Sequence, residues 1–200
     1  MSAPDLSGLA EFDAGTLCES GGTALAPGLC PVWSCGRLVG RALTVECPAG
    51  ENLMLHRAVA RAQAGDVIVA RCGGALHGYW GEVLAEASLA CGVLGLVIDG
   101  SVRDVEALQE IGFPVFAAGT ALPGTAKAIG GSVGEPIEVR GARIATGDAV
   151  IADVSGVVAI RAEAVADVRE RAQARADKER GMIEALRRGT TTLELLGLPE

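Results

Sequence analysis

Short apolar runs alternate along the chain with longer segments of helical spacing, and Gly, Pro or Asp marks each change. The first unit predicts strands at residues 43–47 and 67–71. Between them, residues 53–63 have helical spacing, and Asn52 is placed to cap the first turn. This alternation is typical of an α/β domain.

The following units repeat the same order of elements. They predict a Gly-rich loop at residues 73–81 and a helix at 82–91, then a strand at 95–98 and a loop at 99–102. A helix at 105–111, closed by Gly112, and a strand at 114–117 follow. From Gly131 onward, short β-patterned runs separated by turn residues indicate hairpins, at residues 136–140, 143–145, 149–152 and 157–160. A sheet that combines crossovers with hairpins is mixed.

The last segment, residues 162–188, is predicted as one long charged helix. Small or apolar residues recur on it at steps of three, four and seven, which predicts one buried stripe: Val165, Val168, Ala172, Ala176, Ile183 and Leu186. Glu179 lies on the same stripe, where a carboxylate without a partner is costly to bury. We therefore expect Glu179 either to pair with Arg175 or Arg180, or to have a function.

Length, composition and charge favour one compact domain with appended terminal segments. The chain has 200 residues, half of them apolar, and 28 are Gly. A net charge of −8, with no basic run before the C-terminal helix, argues against direct binding to nucleic acid. There is no apolar stretch of membrane-spanning length and no basic segment after Met1, so we expect a cytoplasmic protein that does not associate with membranes.

Six cysteines suggest disulfides or zinc, but their spacing does not support either. No Cys-x-x-Cys occurs and the chain has only two His, so reduced and mostly buried thiols are the expectation. Cys72 stands out because it directly precedes the Gly-rich loop.

Candidate chemistry lies at the end of the strand at residues 95–98. Arg103 and Asp104 follow it, where open α/β sheets usually bind ligands. Taken alone, the pair is better explained by Asp104 capping the next helix and Arg103 pairing with a surface acid. Upstream, the Gly-rich loop ends at a helix start whose free N–H groups can bind a carboxylate, and His77 in this loop is a candidate acid or base.

Glu82, twenty intervening residues and then Arg103-Asp104 resemble the acid-x20-Arg-Asp signature of one family. That family is the 4-hydroxy-4-methyl-2-oxoglutarate aldolase group, which also contains the regulator of ribonuclease activity A. Four further segments resemble family landmarks: Asn-Leu-Met-Leu-His-Arg-Ala at 52–58, Gly-Asp-Val-Ile-Val at 65–69, Gly-Phe-Pro-Val-Phe-Ala at 112–117 and Gly-Asp-Ala-Val-Ile-Ala-Asp at 147–153. The resemblance covers residues 43–196, whereas residues 1–41 match nothing that can be placed.

The resemblance implies a single α/β domain over residues 1–161, with a mixed sheet flanked by helices in a swivelling β/β/α-like sandwich. Residues 162–200 then form a C-terminal helix and tail that contribute to a subunit interface. By the same resemblance, Asp104 holds Mg²⁺ or Mn²⁺ with the help of waters, and Arg103 contacts a 2-oxo acid. Glu179, in the context Lys178-Glu179, reaches the metal-bound waters of a neighbouring subunit in a homotrimer or homohexamer.

The family's carboxylate-binding amides map onto the helix start, at Gly81, Glu82, Val83 and Leu84. The acid of the signature is often Asp in the family, and here Glu82 is one methylene longer; it is the candidate for proton transfer. The implied reaction cleaves a 4-hydroxy-2-oxo acid, of the 4-hydroxy-4-methyl-2-oxoglutarate or 4-carboxy-4-hydroxy-2-oxoadipate type, to pyruvate. Oxaloacetate decarboxylation passes through the same enolate.

A second reading is an acidic regulator that binds an RNA-processing enzyme, as in the regulator branch of the family. A pure regulator need not keep the whole acid-x20-Arg-Asp set, and the regulators are typically shorter at the C-terminus. Retention of both features favours a metal-dependent lyase. The sequence leaves open which 2-oxo acid is the substrate, which metal is used, and what Cys72 and His77 do.

Overall fold

A computed structural model describes residues 4–74 and 76–199. Met1, Ser2 and Ala3 of the N-terminal segment, Ala75 of the Gly-rich loop and Glu200 of the tail lie outside the described residues. The described part contains one large mixed sheet flanked by helices, followed by a long C-terminal helix.

The strands of the described residues differ widely in length, and β3, β4 and β6 are the longest. In chain order they are β1 (Thr23–Ala24), β2 (Cys30–Pro31), β3 (Leu38–Cys47), β4 (Asp66–Cys72), β5 (Gly78–Trp80), β6 (Gly95–Val102), β7 (Val115–Thr120), β8 (Ser132–Val133), β9 (Ile137–Val139), β10 (Ala142–Ile144), β11 (Ala149–Asp153) and β12 (Gly156–Ile160). The helices are α1 (Ala14–Glu19), α2 (Leu53–Val59), α3 (Glu82–Ala90), α4 (Val105–Glu110), α5 (Val165–Arg187) and α6 (Thr192–Leu196), with 3-10 turns at Leu9–Glu11 and Ala162–Ala164.

Ten of these strands form one sheet in the order β1-β12-β11-β3-β4-β6-β7-β2, with β5 paired to β6 and β8 to β3. The central strands β3, β4, β6 and β7 run parallel, and β11 and β12 join as an antiparallel hairpin beside β3. Strands β9 and β10 form a separate two-stranded hairpin. The mixed sheet and the hairpins predicted from the sequence are confirmed.

The parallel strands are buried on both faces. One face packs with α2, α3 and α4 in a core that includes Leu55, Ile98 and Phe113. The other face packs against β9 and β10. Continuous apolar runs such as residues 67–70 therefore encode strands covered on both sides, because no face of such a strand meets water.

Two segments assigned as loops from the sequence contain strand. Strand β6 continues through Asp99–Val102, since residues Ser101 and Val102 pair with β5 on one side and β7 on the other. The Gly-rich loop contains β5, whose Tyr79 and Trp80 are buried. Both segments are short and contain Gly, so the alternation of apolar and polar residues is too weak to reveal a strand. Only their pairing with neighbouring strands reveals it.

The end and the cap of helix α2 also differ from what the sequence predicts. Helix α2 ends at Val59 rather than at Gln63. Asn52 occupies the N-cap position but makes no capping bond, because its side-chain amide donates to the Tyr79 carbonyl at 2.9 Å. Gly112, in contrast, follows α4 with φ 73°, the left-handed conformation expected of a glycine after a helix end.

The long helix α5 is buried along only part of its stripe. Val165, Val168 and Ala172 pack against α1, β11 and β12, in a core that also anchors the N-terminal segment. Ile183 and Leu186 are 47% and 37% exposed, so the expected continuous buried stripe ends near Ala176 within the single chain. None of the helices in the described ranges is long and apolar enough to cross a membrane.

Candidate active site

Arg103 and Asp104 lie just beyond the carboxyl end of the central strand β6. The Arg103 N–H donates to the Trp80 carbonyl at 2.9 Å, which joins this segment to the end of β5. Asp104 has φ 56°, one of two positive φ values among the described residues that are not glycine. Left-handed backbone in a residue other than Gly is costly and clusters at functional sites, although Asp tolerates it better than most.

The Asp104 carboxylate does not cap the helix that it precedes. It occupies the N-cap position of α4 without a side-chain capping bond. Instead, its Oδ2 atom accepts the backbone N–H of Glu82 at 3.3 Å, from the first turn of α3. The structure therefore rejects the capping explanation and places Asp104 beside a different helix start.

Gly81 allows this approach of Asp104 to α3. A Cβ atom at position 81 would collide with Oδ2 of Asp104 and would lie 3.2 Å from Cγ of Arg103. The Gly81 backbone is extended, with φ −163°, so steric contact and not conformation is what requires glycine here. Gly78 is confined in the same way, since a Cβ there would lie 2.6 Å from the Ala121 carbonyl oxygen and 3.1 Å from Cβ of Arg103.

A cavity of about 290 Å³ opens at this junction. It is lined by Asn52, His56, Gly78, Tyr79, Trp80, Gly81, Val83, Leu84, Arg103, Asp104, Gly124, Thr125 and Lys127. Five residues named from the sequence thus meet in one cavity: Gly81, Val83, Leu84, Arg103 and Asp104. The first-turn amides of a helix have no carbonyl partner within it, so the amides of Val83 and Leu84 are suited to an anion.

Glu82 is exposed and does not line this cavity. It lines a neighbouring depression of about 520 Å³, which Arg103 and Asp104 also border. Its backbone N–H donates to Asp104, and its side chain is exposed at this neighbouring depression.

The charges of the cavity are of both signs. Nε of Arg103 lies 3.6 Å from Oδ2 of Asp104, and both side chains are nearly half exposed, so this ion pair contributes little to stability. Lys127 supplies a second cation. Burial, and then the charge of Lys127, lowers the pKa of His56, which keeps its imidazole neutral at neutral pH.

Sequence reasoning missed Asn52, His56 and Lys127 as lining residues. Oδ1 of Asn52 and Nε2 of His56 are buried and have no hydrogen-bond partner among the described residues, and the same holds for Nε1 of Trp80. Buried polar atoms are nearly always paired, so three orphans around one cavity indicate a polar ligand. The spacing of four residues between Asn52 and His56 was the available signal, since it places both on one side of α2.

The single carboxylate at the cavity, that of Asp104, suits a hydrated hard cation. Within residues 4–74 and 76–199, no group of three or more His, Cys, Asp or Glu side chains is placed to hold a metal ion. Asp104 is thus a single carboxylate at the cavity, with space beside it that Gly81 keeps free of a side chain. Mg²⁺ retains several waters and binds through one or two carboxylates, whereas zinc sites need three or four protein ligands.

His77 and Glu179 lie elsewhere in the chain. The His77 ring packs on Gly50 and meets the Tyr79 ring edge-on at 6.1 Å, and it does not line the cavity. The Glu179 carboxylate lies 3.0 Å from Nε of Arg175 and is 44% exposed. It borders a cleft between α5 and the N-terminal segment, so the expected pairing with Arg175 is present, while a role at a neighbouring subunit stays a prediction.

An α/β sheet with a carboxylate, a guanidinium and a helix start around one polar cavity provides a candidate site for a small anionic ligand. The family profile of RraA-like proteins, described as Aldolase/RraA, matches residues 12–159. The chain belongs to this family.

Two relatives show how similar the sequence is to other proteins. A Halalkalibacterium halodurans protein, provisionally named 4-hydroxy-4-methyl-2-oxoglutarate aldolase, is 34% identical over 125 residues, which are 62% of this chain and 60% of the relative. An uncharacterized protein of Methanocaldococcus jannaschii is 30% identical over 194 residues, covering 95% of this chain and 92% of the relative.

Solved structures share the fold. An uncharacterized protein from Pseudomonas syringae pv. tomato is similar with a TM-score of 0.80 and 29% identity, over 90% of this chain and 86% of that one. The RNA-processing inhibitor RraA of Thermus thermophilus matches with a TM-score of 0.66 and 25% identity, over 80% and 93% of the two chains. The family thus contains a protein named as an aldolase and one named as an inhibitor.

Proposed function

We propose that the protein is a divalent-metal-dependent lyase that cleaves a 4-hydroxy-2-oxo acid to pyruvate, with oxaloacetate decarboxylation as a second activity. One observation carries the proposal. The Asp104 carboxylate, the Arg103 guanidinium and the first-turn amides of α3 meet across Gly81 in a single cavity.

Each of these groups suits one part of a 2-oxo acid. The amides of Val83 and Leu84 would hold the C1 carboxylate at the positive end of the α3 dipole. Asp104 would hold Mg²⁺ or Mn²⁺, which when bound supplies Lewis-acid polarisation of the C2 carbonyl.

Arg103 would stabilise the negative charge that develops when the C3–C4 bond breaks. A guanidinium stays protonated at every working pH and contacts carbonyl or carboxylate oxygens through two parallel N–H groups. The C4 hydroxyl loses its proton and becomes the carbonyl of the other product, the half that carries C1 to C3 becomes the enolate of pyruvate, and protonation at C3 completes the reaction. The same enolate forms when oxaloacetate loses carbon dioxide, so both activities fit the same residues.

Glu82 is the proposed group for proton transfer, acting through water. Glu82 lines the neighbouring depression together with Arg103 and Asp104, and it does not line the cavity itself. General acid and base groups must reach their proton directly or through one water.

Further residues of the cavity favour a substrate with a second anionic group. Lys127 supplies a cation, and Asn52 and His56 carry buried polar atoms without a hydrogen-bond partner among the described residues. A 4-hydroxy-2-oxo diacid would bring an oxygen-rich group to these residues, as would oxaloacetate.

The neighbouring subunit is proposed to complete the site. Ile183 and Leu186 on α5 are exposed in the single chain, as are Val83 and Leu122 around the Arg103-Asp104 pair. Exposed apolar side chains that group into a contiguous patch mark interaction surfaces between proteins. A trimer or a pair of trimers, with Glu179 of one copy near Asp104 of the next, would cover such surfaces.

A coupled assay tests the proposed reaction. Pyruvate release from 4-hydroxy-4-methyl-2-oxoglutarate and from oxaloacetate is followed with lactate dehydrogenase and NADH, in the presence of Mg²⁺, of Mn²⁺, or of a chelator. We expect turnover that the chelator abolishes and added metal restores. No pyruvate from either substrate under any of these conditions would reject the lyase.

A regulator of an RNA-processing enzyme is the second candidate. The likeness to the Thermus thermophilus inhibitor and the net charge of −8 favour it, because an acidic surface suits basic segments of such an enzyme. Titration of a ribonuclease with this protein separates the two functions. Inhibition that persists in the Asp104→Asn variant would favour the regulator, since a binding surface does not need the metal ligand.

A further inference from the structure

Cys47 and Cys72 form a pair that the proposed function does not use. They are the last residues of the adjacent parallel strands β3 and β4, and they are directly opposite in the pairing register. Residues opposite each other in a sheet point to the same face, and both thiols belong to the core packed against the helices. Neighbouring strands are about 4.8 Å apart, which is within the range that a disulfide spans between Cα atoms.

The two thiols are in their reduced form and interact with each other. Hydrogen bonding from the Cys72 thiol lowers the pKa of Cys47, and the same interaction together with burial raises the pKa of Cys72. Cys47, unlike Cys72, also borders a cavity, so it is the thiol placed to react with an incoming molecule, with Cys72 as its partner. None of the other four cysteines has a thiol opposite it in the register of the sheet.

A small molecule can reach this pair. Both side chains are more than nine-tenths buried, but Cys47 borders a cavity of about 330 Å³ together with Glu46, Pro48, Arg71, Gly73 and Gly131. The cavity lies outside the Arg103-Asp104 site and shares none of its lining residues. A peroxide is small enough to enter it, whereas a protein disulfide is not.

We propose that Cys47 and Cys72 are a redox-active dithiol that a peroxide oxidises to an intrachain disulfide. The Cys47 thiolate attacks one oxygen of hydrogen peroxide, the O–O bond breaks, and water leaves after protonation, so that Cys47 becomes a sulfenic acid. The Cys72 sulfur then attacks the Cys47 sulfur, the S–O bond breaks, and a second water leaves with the Cys72 proton. Two thiols are oxidised and one peroxide is reduced to two waters.

The bond is positioned to affect the neighbouring active site. The chain leads from Cys47 to Asn52 and from Cys72 to β5, and both segments line the Arg103-Asp104 cavity. Their loops are in contact, because the Tyr79 hydroxyl accepts the Gly50 N–H at 2.9 Å and Asn52 donates to the Tyr79 carbonyl at 2.9 Å. Tyr79 also shares the space over Gly100 with Cys72, since a Cβ at Gly100 would lie 3.0 Å from Cβ of Cys72 and 3.3 Å from Cδ2 of Tyr79.

A disulfide would draw the Cys47 and Cys72 side chains together, and this movement would affect Tyr79 beside Cys72 and, through its hydrogen bond, Asn52. The sulfur–sulfur distance falls to about 2.05 Å on oxidation, well below the contact distance of two thiols. Displacements of about 1 Å in positioning groups cost large factors in rate. The oxidised protein should lose activity in a way that a reductant restores; this part of the inference rests on the proposed function.

Peptide mapping of the full-length protein tests the bond itself. The protein is treated with hydrogen peroxide, free thiols are alkylated under denaturing conditions, and tryptic peptides are analysed by mass spectrometry. Cleavage after Arg41, Arg57, Arg71 and Arg103 places Cys47 alone in peptide 42–57, while peptide 72–103 contains Cys72 and Cys91. The Cys91→Ser variant makes the linkage unambiguous, because Cys91 is exposed and lies outside the pair.

We expect peptides 42–57 and 72–103 joined, at a mass lower by two hydrogens, and separated again by dithiothreitol. Cys47 and Cys72 both alkylated after peroxide treatment, or joined to other cysteines, would overturn the proposal. Cys47→Ala and Cys72→Ala should each abolish the cross-link, and Cys30→Ser should leave it unchanged. Because the mapping is done on protein with the pair intact, a variant that fails to fold leaves the test valid.

Hydrogen exchange tests the coupling to the site without reference to any activity. Oxidation should change exchange in segments 48–52 and 78–82, with no comparable change in the Cys72→Ala variant. If the lyase reaction is found, oxidation should also lower kcat/KM by roughly tenfold or more, reversibly. A cross-link that alters neither exchange nor turnover would overturn the coupling. A cross-link with altered exchange but no pyruvate formation by the reduced protein would reject the proposed function alone.

Discussion

At position 81 a single methyl group is expected to decide whether the site works. Gly81→Ala places a Cβ on Oδ2 of Asp104, while the extended backbone at φ −163° accepts any residue. The variant should therefore fold normally and lose metal binding and turnover, because the carboxylate must move away. Isothermal titration with Mn²⁺ and the coupled pyruvate assay measure both effects.

Gly181→Ala is the matched control for this change. Gly181 lies within α5 with nothing near its Cβ position, so alanine there should raise stability by roughly 0.5–1 kcal/mol and leave activity unchanged. Equal activity losses in the two variants would argue for a general effect and against the proposed contact.

Asp104 offers a substitution that keeps the backbone and removes the charge. Asn is among the residues that tolerate the left-handed conformation, so Asp104→Asn should preserve the structure at φ 56°. Loss of the proposed metal carboxylate should lower turnover by more than about a hundredfold, since even mutations of partners behind a metal ligand cost ten- to a hundredfold. Circular dichroism checks the fold; near-normal activity with a normal metal affinity would refute the assignment.

Arg103→Lys keeps the charge and removes the planar contact. An ammonium cannot reproduce two parallel N–H donors, so kcat should fall by roughly a hundredfold, as when one donor to a developing oxyanion is lost. Arg143→Lys on the exposed side of β10 is the control. Retained kinetics in Arg103→Lys would assign Arg103 a purely electrostatic role.

Among the elements, α3 and α5 contribute to the proposed site in different ways. Helix α3 presents its first turn to the cavity within one chain, because Gly81 and β5 lead the backbone directly to it. Helix α5 is anchored by Val165, Val168 and Ala172 and then continues past the core with its apolar residues exposed. An element of this kind is expected to act in an assembly of several copies.

Glu179→Ala tests the role of α5. We expect activity to fall more than stability, with the assembly intact, because the carboxylate would act at the neighbouring site and its ion pair with Arg175 is partly exposed. Analytical ultracentrifugation, thermal melts and the pyruvate assay measure the three quantities. Glu184→Ala on the same helix is the control, and a monomeric wild-type protein would refute the shared-site proposal.

At the scale of the whole molecule, His56 should make stability depend on pH. Burial and Lys127 lower its pKa from the ordinary 6.5, so the unfolded chain binds the proton more readily than the folded one. Stability should therefore decline as the pH falls below about 6.5, where unfolded His becomes protonated. His56→Gln should reduce this decline in thermal melts between neutral pH and pH 5, and an unchanged pH profile would exclude the contribution of His56.

The order of elements could be predicted from the sequence because it rests on local patterns. Apolar runs of strand length, Gly112 after α4 and the Gly-separated hairpins depend on neighbours within a few residues, and the structure confirms them. The Arg103-Asp104 motif was likewise visible as a signature. The extension of β6 through Val102 was not, since short Gly-rich strands are defined by their partners in the sheet.

The sequence by itself determined the alternation of strands and helices, the mixed sheet, and the family, because these follow from periodicity, turn residues and a spaced signature. Only the tertiary structure decided which distant groups meet. It placed Lys127 beside Asn52 and His56, brought Asp104 to the start of α3 across Gly81, and set Cys47 opposite Cys72. It also left Glu179 half exposed where the helical stripe indicated burial. Such contacts join residues far apart in the chain. They are determined by packing and strand register, and no local pattern of the sequence encodes either.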